Sequence, residues 1–450
     1  GWRNRLEVNS IRRPMKNANK LPFDCGSTGE GWRPLILSEF AKKNFWGIAI
    51  FVGVAARLWL WWRFIGSNDP HIWAQHANHI LTLGLEGAYV QVRILNHPPL
   101  MAWMSALCAV LTELAGGGLL NFARLIKAPG VIAEFATITL LWRFGSSRAA
   151  AVYALSPVAI LISGFHGNTD PLCAALILAG AVMASRERWF LGGIGFAAAI
   201  NVKLIPLLLV PALLVSASQR ARTRLVAGLS LAVVPFLPPA LSVAPAMYRN
   251  IVNYVPSPAE WGVTAFLDTA ARTWYSAHGR FVVVCAILCL ALWSRWNKMP
   301  LMNQLAAACA LWLILTPGFG VQYLIYVVPL VCMVDLRYAV LWSCSAGAML
   351  ATLYWTGLEK TAHPLSSWMP QSFRDVQPAL LFGAIACWIL VQFVAAQVRA
   401  SMAGRCFVIT RPQEASKHED ANRLLRGKVR QKHLQNNVKQ RGVPSRSRSK

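Results

Sequence analysis

The chain has 450 residues, 56% of them hydrophobic and only 14% charged, with a net charge of +26 from 44 Lys and Arg against 18 Asp and Glu. Soluble domains are about a quarter charged, so the composition excludes a soluble globular protein: most side chains must face hydrocarbon or one another. So basic a balance can also mark a nucleic-acid binder, but here the excess sits in the termini and in short connections between apolar runs. That is the pattern of anionic headgroups and the positive-inside rule, and no nucleic acid is expected as a partner.

Residues 1–44 are polar and basic, so no cleavable signal peptide is expected ahead of the first apolar run; Met15 is a candidate first residue, with Gly1 to Pro14 upstream of it. Thirteen apolar runs follow, at 45–65, 98–116, 128–143, 149–165, 170–185, 190–202, 204–218, 224–242, 280–295, 301–316, 321–336, 338–357 and 378–397. Most approach the length at which a helix crosses about 30 Å of hydrocarbon at about 1.5 Å per residue. Only a helix satisfies its own backbone there. The fold class expected is therefore all-α, a polytopic transmembrane bundle of 12–13 spans over 45–397. It is flanked by a cytoplasmic basic segment at 1–44 and a disordered basic cytoplasmic tail at 398–450. From Arg399 that tail carries 14 Lys and Arg against 3 Asp and Glu, which suits contact with anionic membrane lipid. The ten cysteines include no CxxC pair and read as small buried hydrophobes.

Charge also orients the chain. The basic short connections at Arg143/Arg148, Arg186/Arg188, Arg220/Arg222/Arg224, Arg295/Lys298 and Arg337 belong in the cytoplasm with both termini. The long connections 66–97, 243–279 and 359–377 then lie outside, with the turns at His166–Asp170 and Pro317–Gln322. Thirteen crossings would put the termini on opposite sides. The discrepancy lies between His97 and Arg143, and twelve crossings are favoured.

Four elements on the outer side carry chemistry. The first loop holds Asp69, Pro70 and His71, then a segment 70–84 suited to a surface-lying helix, then Asn96-His97-Pro98-Pro99. Asp69 reads either as a helix cap, since Asp-Pro is a start signal, or as a functional acid. The second is Gly164-Phe165-His166-Gly167-Asn168-Thr169-Asp170-Pro171. Capping explains Asp170 but leaves His166 and Asn168, polar groups that are costly at a lipid boundary unless used or paired. The third is Lys203, alone in an apolar stretch, either a snorkelling lysine or a partner for a phosphate at the bilayer edge. The fourth is Thr316-Pro317-Gly318-Phe319-Gly320-Val321-Gln322-Tyr323, where interfacial Tyr is the structural reading of Tyr323. The loop 243–279 adds Tyr254, Glu260, Trp261, Arg272, Trp274, Tyr275 and His278, a mixture suited to a lid over a sugar or lipid head.

Together these stretches resemble the GT-C superfamily of membrane glycosyltransferases, closest to its mannosyltransferase-like members, from about Phe45 to Gln397. The resemblance rests on Asp69 after the first span, Asn96-His97-Pro98-Pro99, Ser163 to Asp170, and Lys203-Leu204-Ile205-Pro206 leading to Pro211. Pro317 to Tyr323 is similar to a turn of bacterial members and implies a bacterial inner membrane. The family implies an integral enzyme moving a hexose, with mannose favoured, from a polyprenyl-phosphate donor to a glycolipid or glycan acceptor. It implies Asp69 as catalytic base, with Lys203, Arg272 and Arg280 at the donor phosphate. His71, His97, His166, Asn168, Asp170, Gln322 and Tyr323 would be substrate-binding. The family often has a second acid beside the first; here Pro70 and His71 follow, so no metal or other cofactor is indicated and His71 is the stand-in. The alternatives are a secondary transporter, for which Arg57 and Glu134 are the clearest mid-span charges unless they pair structurally, and a polyprenyl-linked polysaccharide polymerase or ligase.

Overall fold

The computed structural model describes residues 37–254, 261–360 and 376–404, with side chains over 44–254, 261–355 and 377–404. The predicted tail beyond 404, Glu260, and most of the connection 359–377 lie outside the described residues. The chain divides into two units, 1–44 and 45–450. Of the first, the helical residues from Leu37 onward are described; the second holds the bundle.

Sixteen α-helices appear among the described residues, with no strand. The first eight are α1 (Leu37–Arg63), α2 (Asp69–Gln91), α3 (Pro99–Leu114), α4 (Leu119–Leu140), α5 (Ser147–Leu155), α6 (Pro157–Ile160), α7 (Asp170–Ser185) and α8 (Trp189–Val202). The rest are α9 (Val210–Ser216), α10 (Gln219–Leu229), α11 (Leu237–Met247), α12 (Thr269–Trp296), α13 (Leu301–Leu315), α14 (Val327–Val334), α15 (Leu336–Lys360) and α16 (Val376–Met402). Every predicted apolar run falls on helix. Six helical stretches are long and apolar enough to cross a membrane: Asn44–Arg63, Leu119–Gly145, Gln219–Val252, Thr269–Trp296, Leu336–Trp355 and Gln377–Met402. The pair Ser147–Leu155 and Pro157–His166 makes a seventh, bent by 57°, and six shorter apolar helices complete the set. Large apolar side chains stand exposed along these helices, among them Phe51, Leu241 and Trp388, as lipid-facing surfaces require. The protein is a multi-pass helical membrane protein.

The bend has a chemical cause. Pro157 brings no N–H for the carbonyl of Tyr153 one turn earlier, and it pushes Ser156 out of helical geometry (φ −58°, ψ 117°). Arg57 of α1 takes up the freed acceptors. It donates to Tyr153 O at 3.1 Å, to Ala154 O, and to Gly53 O at 2.9 Å. Its Nε meets Glu134 of α4 at 2.9 Å, and the other Glu134 oxygen accepts from the Tyr153 hydroxyl at 2.6 Å. The two mid-span charges therefore pair with each other in a saturated structural cluster.

Contacts also locate the start of α4, in the stretch before Arg143. The start of α4 lies against the end of α1, since Trp61 Nε1 donates to Arg124 O at 2.7 Å and Arg124 Nε to Trp62 O at 3.0 Å. Helix α3 follows His97, whose ring lies tilted against that of Trp73 of α2 at 4.4 Å, and it joins α4 through a turn at Gly116–Gly118, all three at positive φ. Helices long and apolar enough to cross number six, or seven with the bent pair, among the described residues, against the twelve crossings favoured from the sequence; α3 is one of the shorter apolar helices. Basic turns gather at the opposite end, where the Arg186 guanidinium lies 4.5 Å over the ring of Phe144, beside Arg143.

The helix expected over 70–84 is present: α2 starts at Asp69 and is broken at Gly84 (φ 71°, ψ 167°), continuing beyond it to Gln91. One expectation for the connections is corrected. Segment 243–279 is no open loop, because α11 runs to Met247 and α12 begins at Thr269, capped by Asp268 Oδ1 accepting from Ala271 N at 2.7 Å.

Candidate active site

The site forms where the chain leaving α1 meets the turn before α7. Helix α2 starts at Asp69, with Asn68 before it and Pro70 in its first turn, and no side chain caps its N-terminus. The capping reading of Asp69 is therefore set aside. Its Oδ2 accepts a hydrogen bond from Asn168 Nδ2 and lies 3.2 Å from His166 Nε2, within ion-pair reach but off the hydrogen-bond axis. Its Oδ1 takes no hydrogen bond among the described residues, and the side chain is 23% exposed.

The backbone fixes this encounter. Ser67 N and Ser67 Oγ both donate to His166 O, at 3.1 and 2.6 Å, and Asp69 N donates to Ser67 Oγ at 3.2 Å. Gly66 (φ +111°) approaches so closely that a Cβ there would stand 2.0 Å from Phe165 O, and one on Gly167 (φ +91°) would stand 2.6 Å from Pro70 Cγ. Only glycine tolerates both the conformation and the approach. Lys127, buried in α4, donates to Phe64 O at 2.6 Å and to Gly164 O at 3.3 Å, pinning the two segments just upstream of Asp69 and His166.

Burial pushes the Asp69 carboxyl upward. The contact with His166, the Asn168 hydrogen bond and the positive charge of Lys203 outweigh it, and the net shift is below the ordinary value. At neutral pH the group is an ionised acceptor with one oxygen held and one open.

Around it stand the other residues of the cluster. Asp170, fully buried, does not cap α7; Lys203 Nζ meets its two oxygens at 2.9 and 3.1 Å. Lys203 is thus neither snorkelling nor unpaired, and its ammonium also sits 4.8 Å over the Tyr323 ring. Asp170 is turned to Lys203 rather than towards Asp69. His97 has both ring nitrogens buried and unpartnered. Burial, then the positive charge of Lys203 and His76, lowers its pKa far below the usual range against the opposing influence of Asp69, so the imidazole is neutral. His76 follows the same course, down to about 4.

Several expected residues are not brought in. His71 is exposed on α2, whose buried residues include Trp73 and His76 instead, so His71 is no stand-in for a second acid. Arg272 donates to Thr264 O and Leu267 O, and Arg280 to Asn253 Oδ1 at 2.9 Å; the structure brings neither into contact with Lys203. Gln322 lies folded against Gly320. Trp261 and Tyr275 do not form a lid, because both are buried and donate to carbonyls of α13, Leu313 O and Leu315 O, at 2.7 Å each. Trp274 is exposed and stacks on His278 at 4.9 Å.

Residues that sequence reasoning missed include Ser67, Lys127 and Tyr354. The Tyr354 ring stacks on His166 at 5.6 Å and 25°. Lys127 stands between the apolar runs 98–116 and 128–143, and none of the three carried a clear signal.

An apolar groove of about 490 Å³ is lined by Ile200, Leu204, Leu207 and Val210 on one wall and by residues of Leu229 to Val252, including Phe236 and Met247, on the other; Leu204 follows Lys203 in the chain. No group of three His, Cys, Asp or Glu suited to a metal occurs among the described residues.

No family model matches the chain, and no curated protein matches it. Among solved structures, the chain is similar to the crystal structure of ArnT from Cupriavidus metallidurans in the apo state, at 16% identity over 81% of this chain and 78% of that chain, with a TM-score of 0.45.

Proposed function

We propose that this chain is a membrane glycosyltransferase of GT-C type that moves a hexose, mannose favoured, from a polyprenyl-phosphate carrier to a glycolipid or cell-envelope glycan. The observation that carries the reading is the Asp69 carboxylate. It is withdrawn from capping, held through Oδ2 by Asn168 beside His166, and left with Oδ1 open. A carboxylate with one oxygen fixed and one free suits a general base.

In the reaction the acceptor hydroxyl gives its proton to Asp69 Oδ1 as its oxygen bonds to the anomeric carbon. The bond from that carbon to the carrier phosphate breaks on the opposite side, and the configuration inverts. The carrier phosphate leaves with the bonding pair, its charge stabilised by Lys203. Asp170 holds the Lys203 ammonium in place by sharing its donors with the phosphate. The isoprenoid chain occupies the groove lined in part by Leu204, which follows Lys203 in the chain; its apolar lining suits that occupant. His166, Asn168 and the neutral His97 meet sugar hydroxyls. The site faces away from the cytoplasm, because basic turns gather at the other end of the bundle, and the membrane is a bacterial inner membrane.

A transporter would need open charges at mid-depth, whereas Arg57 and Glu134 are spent on each other. The test is mass spectrometry of membrane glycolipids from cells with and without the chain. A glycolipid heavier by one sugar, present only with the chain, is the expected result; identical glycolipids contradict the reading.

A further inference from the structure

Six of the ten buried, unpartnered side-chain polar atoms among the described residues belong to His76, His97, His166 and Tyr354. Buried polar groups in native proteins are overwhelmingly hydrogen-bonded, so such a concentration at one place marks groups that await a ligand. Tyr354 is the member from farthest along the chain. It sits near the end of α15, where its ring stacks on His166 and lies 5.1 Å from the ring of Phe165. Its hydroxyl is buried with no hydrogen-bond partner. The ring is therefore fixed against the turn that carries Asn168, while the polar tip is unused.

We infer that the Tyr354 hydroxyl is a substrate-contacting group that hydrogen-bonds a hydroxyl of the transferred sugar, an inference that rests on the transferase reading above. The charge around it favours a sugar hydroxyl over a phosphate. Asp69 and Asp170 both lie within electrostatic reach of the phenol, and a phosphate placed there would meet carboxylate repulsion. A phenol both donates and accepts, which matches a hydroxyl, as do the neutral imidazole of His97 and the amide of Asn168. The cation suited to a phosphate is Lys203, bound to Asp170. The His166 stack sets the direction of the phenol, so the group that touches Asp69 and the group that holds the sugar are built as one unit.

The test uses the full chain in detergent micelles. Binding is measured for decaprenyl phosphate, and for decaprenyl phosphate bearing mannose, glucose, galactose or arabinose, with wild type and Tyr354→Phe. The variant keeps the ring and its stack. Loss of one neutral hydrogen bond weakens binding of the sugar-bearing carrier about 3- to 10-fold, while the bare carrier, which also reports on an intact fold, binds as before. Equal affinity of the two proteins for every carrier, or an equal loss on bare and sugar-bearing carriers, overturns the assignment of Tyr354. Wild type that binds none of the carriers overturns the transferase reading itself, which sets that failure apart.

Discussion

Two polar clusters lie inside this bundle, and they differ in one respect. Around Arg57, each guanidinium nitrogen donates and both Glu134 oxygens accept. Around Asp69, one carboxylate oxygen is open, both nitrogens of His97 are idle and the Tyr354 hydroxyl has no partner. The first cluster neutralises the cost of a proline break in α5–α6. The second stores unsatisfied hydrogen-bonding capacity at the end of the bundle. Buried charge alone does not mark a site; buried charge whose partners are incomplete does.

That contrast can be broken first at Glu134. Removing one partner of a buried ion pair leaves an uncompensated charge and costs about 3–5 kcal/mol. Glu134→Ala should therefore lower the thermal unfolding temperature strongly, while the molecules that remain folded turn over at close to the wild-type rate. A large loss of turnover per folded molecule would mean that the Arg57 cluster is part of the site.

The next effect is expected at Gly66. An alanine there stands 2.0 Å from Phe165 O in a conformation that costs about 1–3 kcal/mol for a residue with a Cβ. The strain moves the segment that carries Asp69, and a displacement of about 1 Å can cost about 10²-fold in rate. Gly66→Ala should thus lose turnover much more than stability, the reverse of Glu134→Ala. Parallel losses would show that the glycine serves packing alone.

The smallest effect sharpens the account of Asp69. His166→Phe keeps a ring against Tyr354 and removes the nitrogen that helps hold the carboxyl below its ordinary value of 3.8. Burial, which pushes the other way, remains, so the Asp69 pKa rises. The acid limb of the pH–rate profile should move to higher pH, with a loss of less than about tenfold at pH 7. In the wild type, the depressed pKa stabilises the fold above the unfolded-state value. That contribution is lost as pH falls through the folded-state pKa, so His166→Phe also flattens the acid side of the stability profile. An unmoved acid limb would separate His166 from the base.

The architecture was legible because each apolar run must satisfy its own backbone in lipid, and all thirteen appear as helix. His166 and Asn168 were legible as polar groups that capping does not explain, whereas Asp69 read equally as a cap and stood out as an acid only through the resemblance. Less visible was what pairs with what. Lys203 looked alone in its run, yet its partner Asp170 stands 33 positions earlier on α7. His71 adjoined Asp69 in sequence, but the helix that starts at Asp69 leaves it exposed and buries Trp73 and His76. Tyr354 lies in an ordinary apolar run, and only the packing of α15 against the His166 turn gives it a role. The run 280–295 marked only the later part of α12, which starts at Thr269 behind the Asp268 cap and so carries Arg272, Trp274 and Tyr275 on a helix instead of a lid.

The most direct measurement is single-turnover sugar transfer by purified Asp69→Asn, paired with donor binding by the same protein. Asparagine keeps the shape and removes the proton acceptor. The rate should fall about 10²- to 10⁴-fold below wild type with carrier affinity retained. A variant that binds the carrier and transfers at the wild-type rate would contradict the role of Asp69 as base.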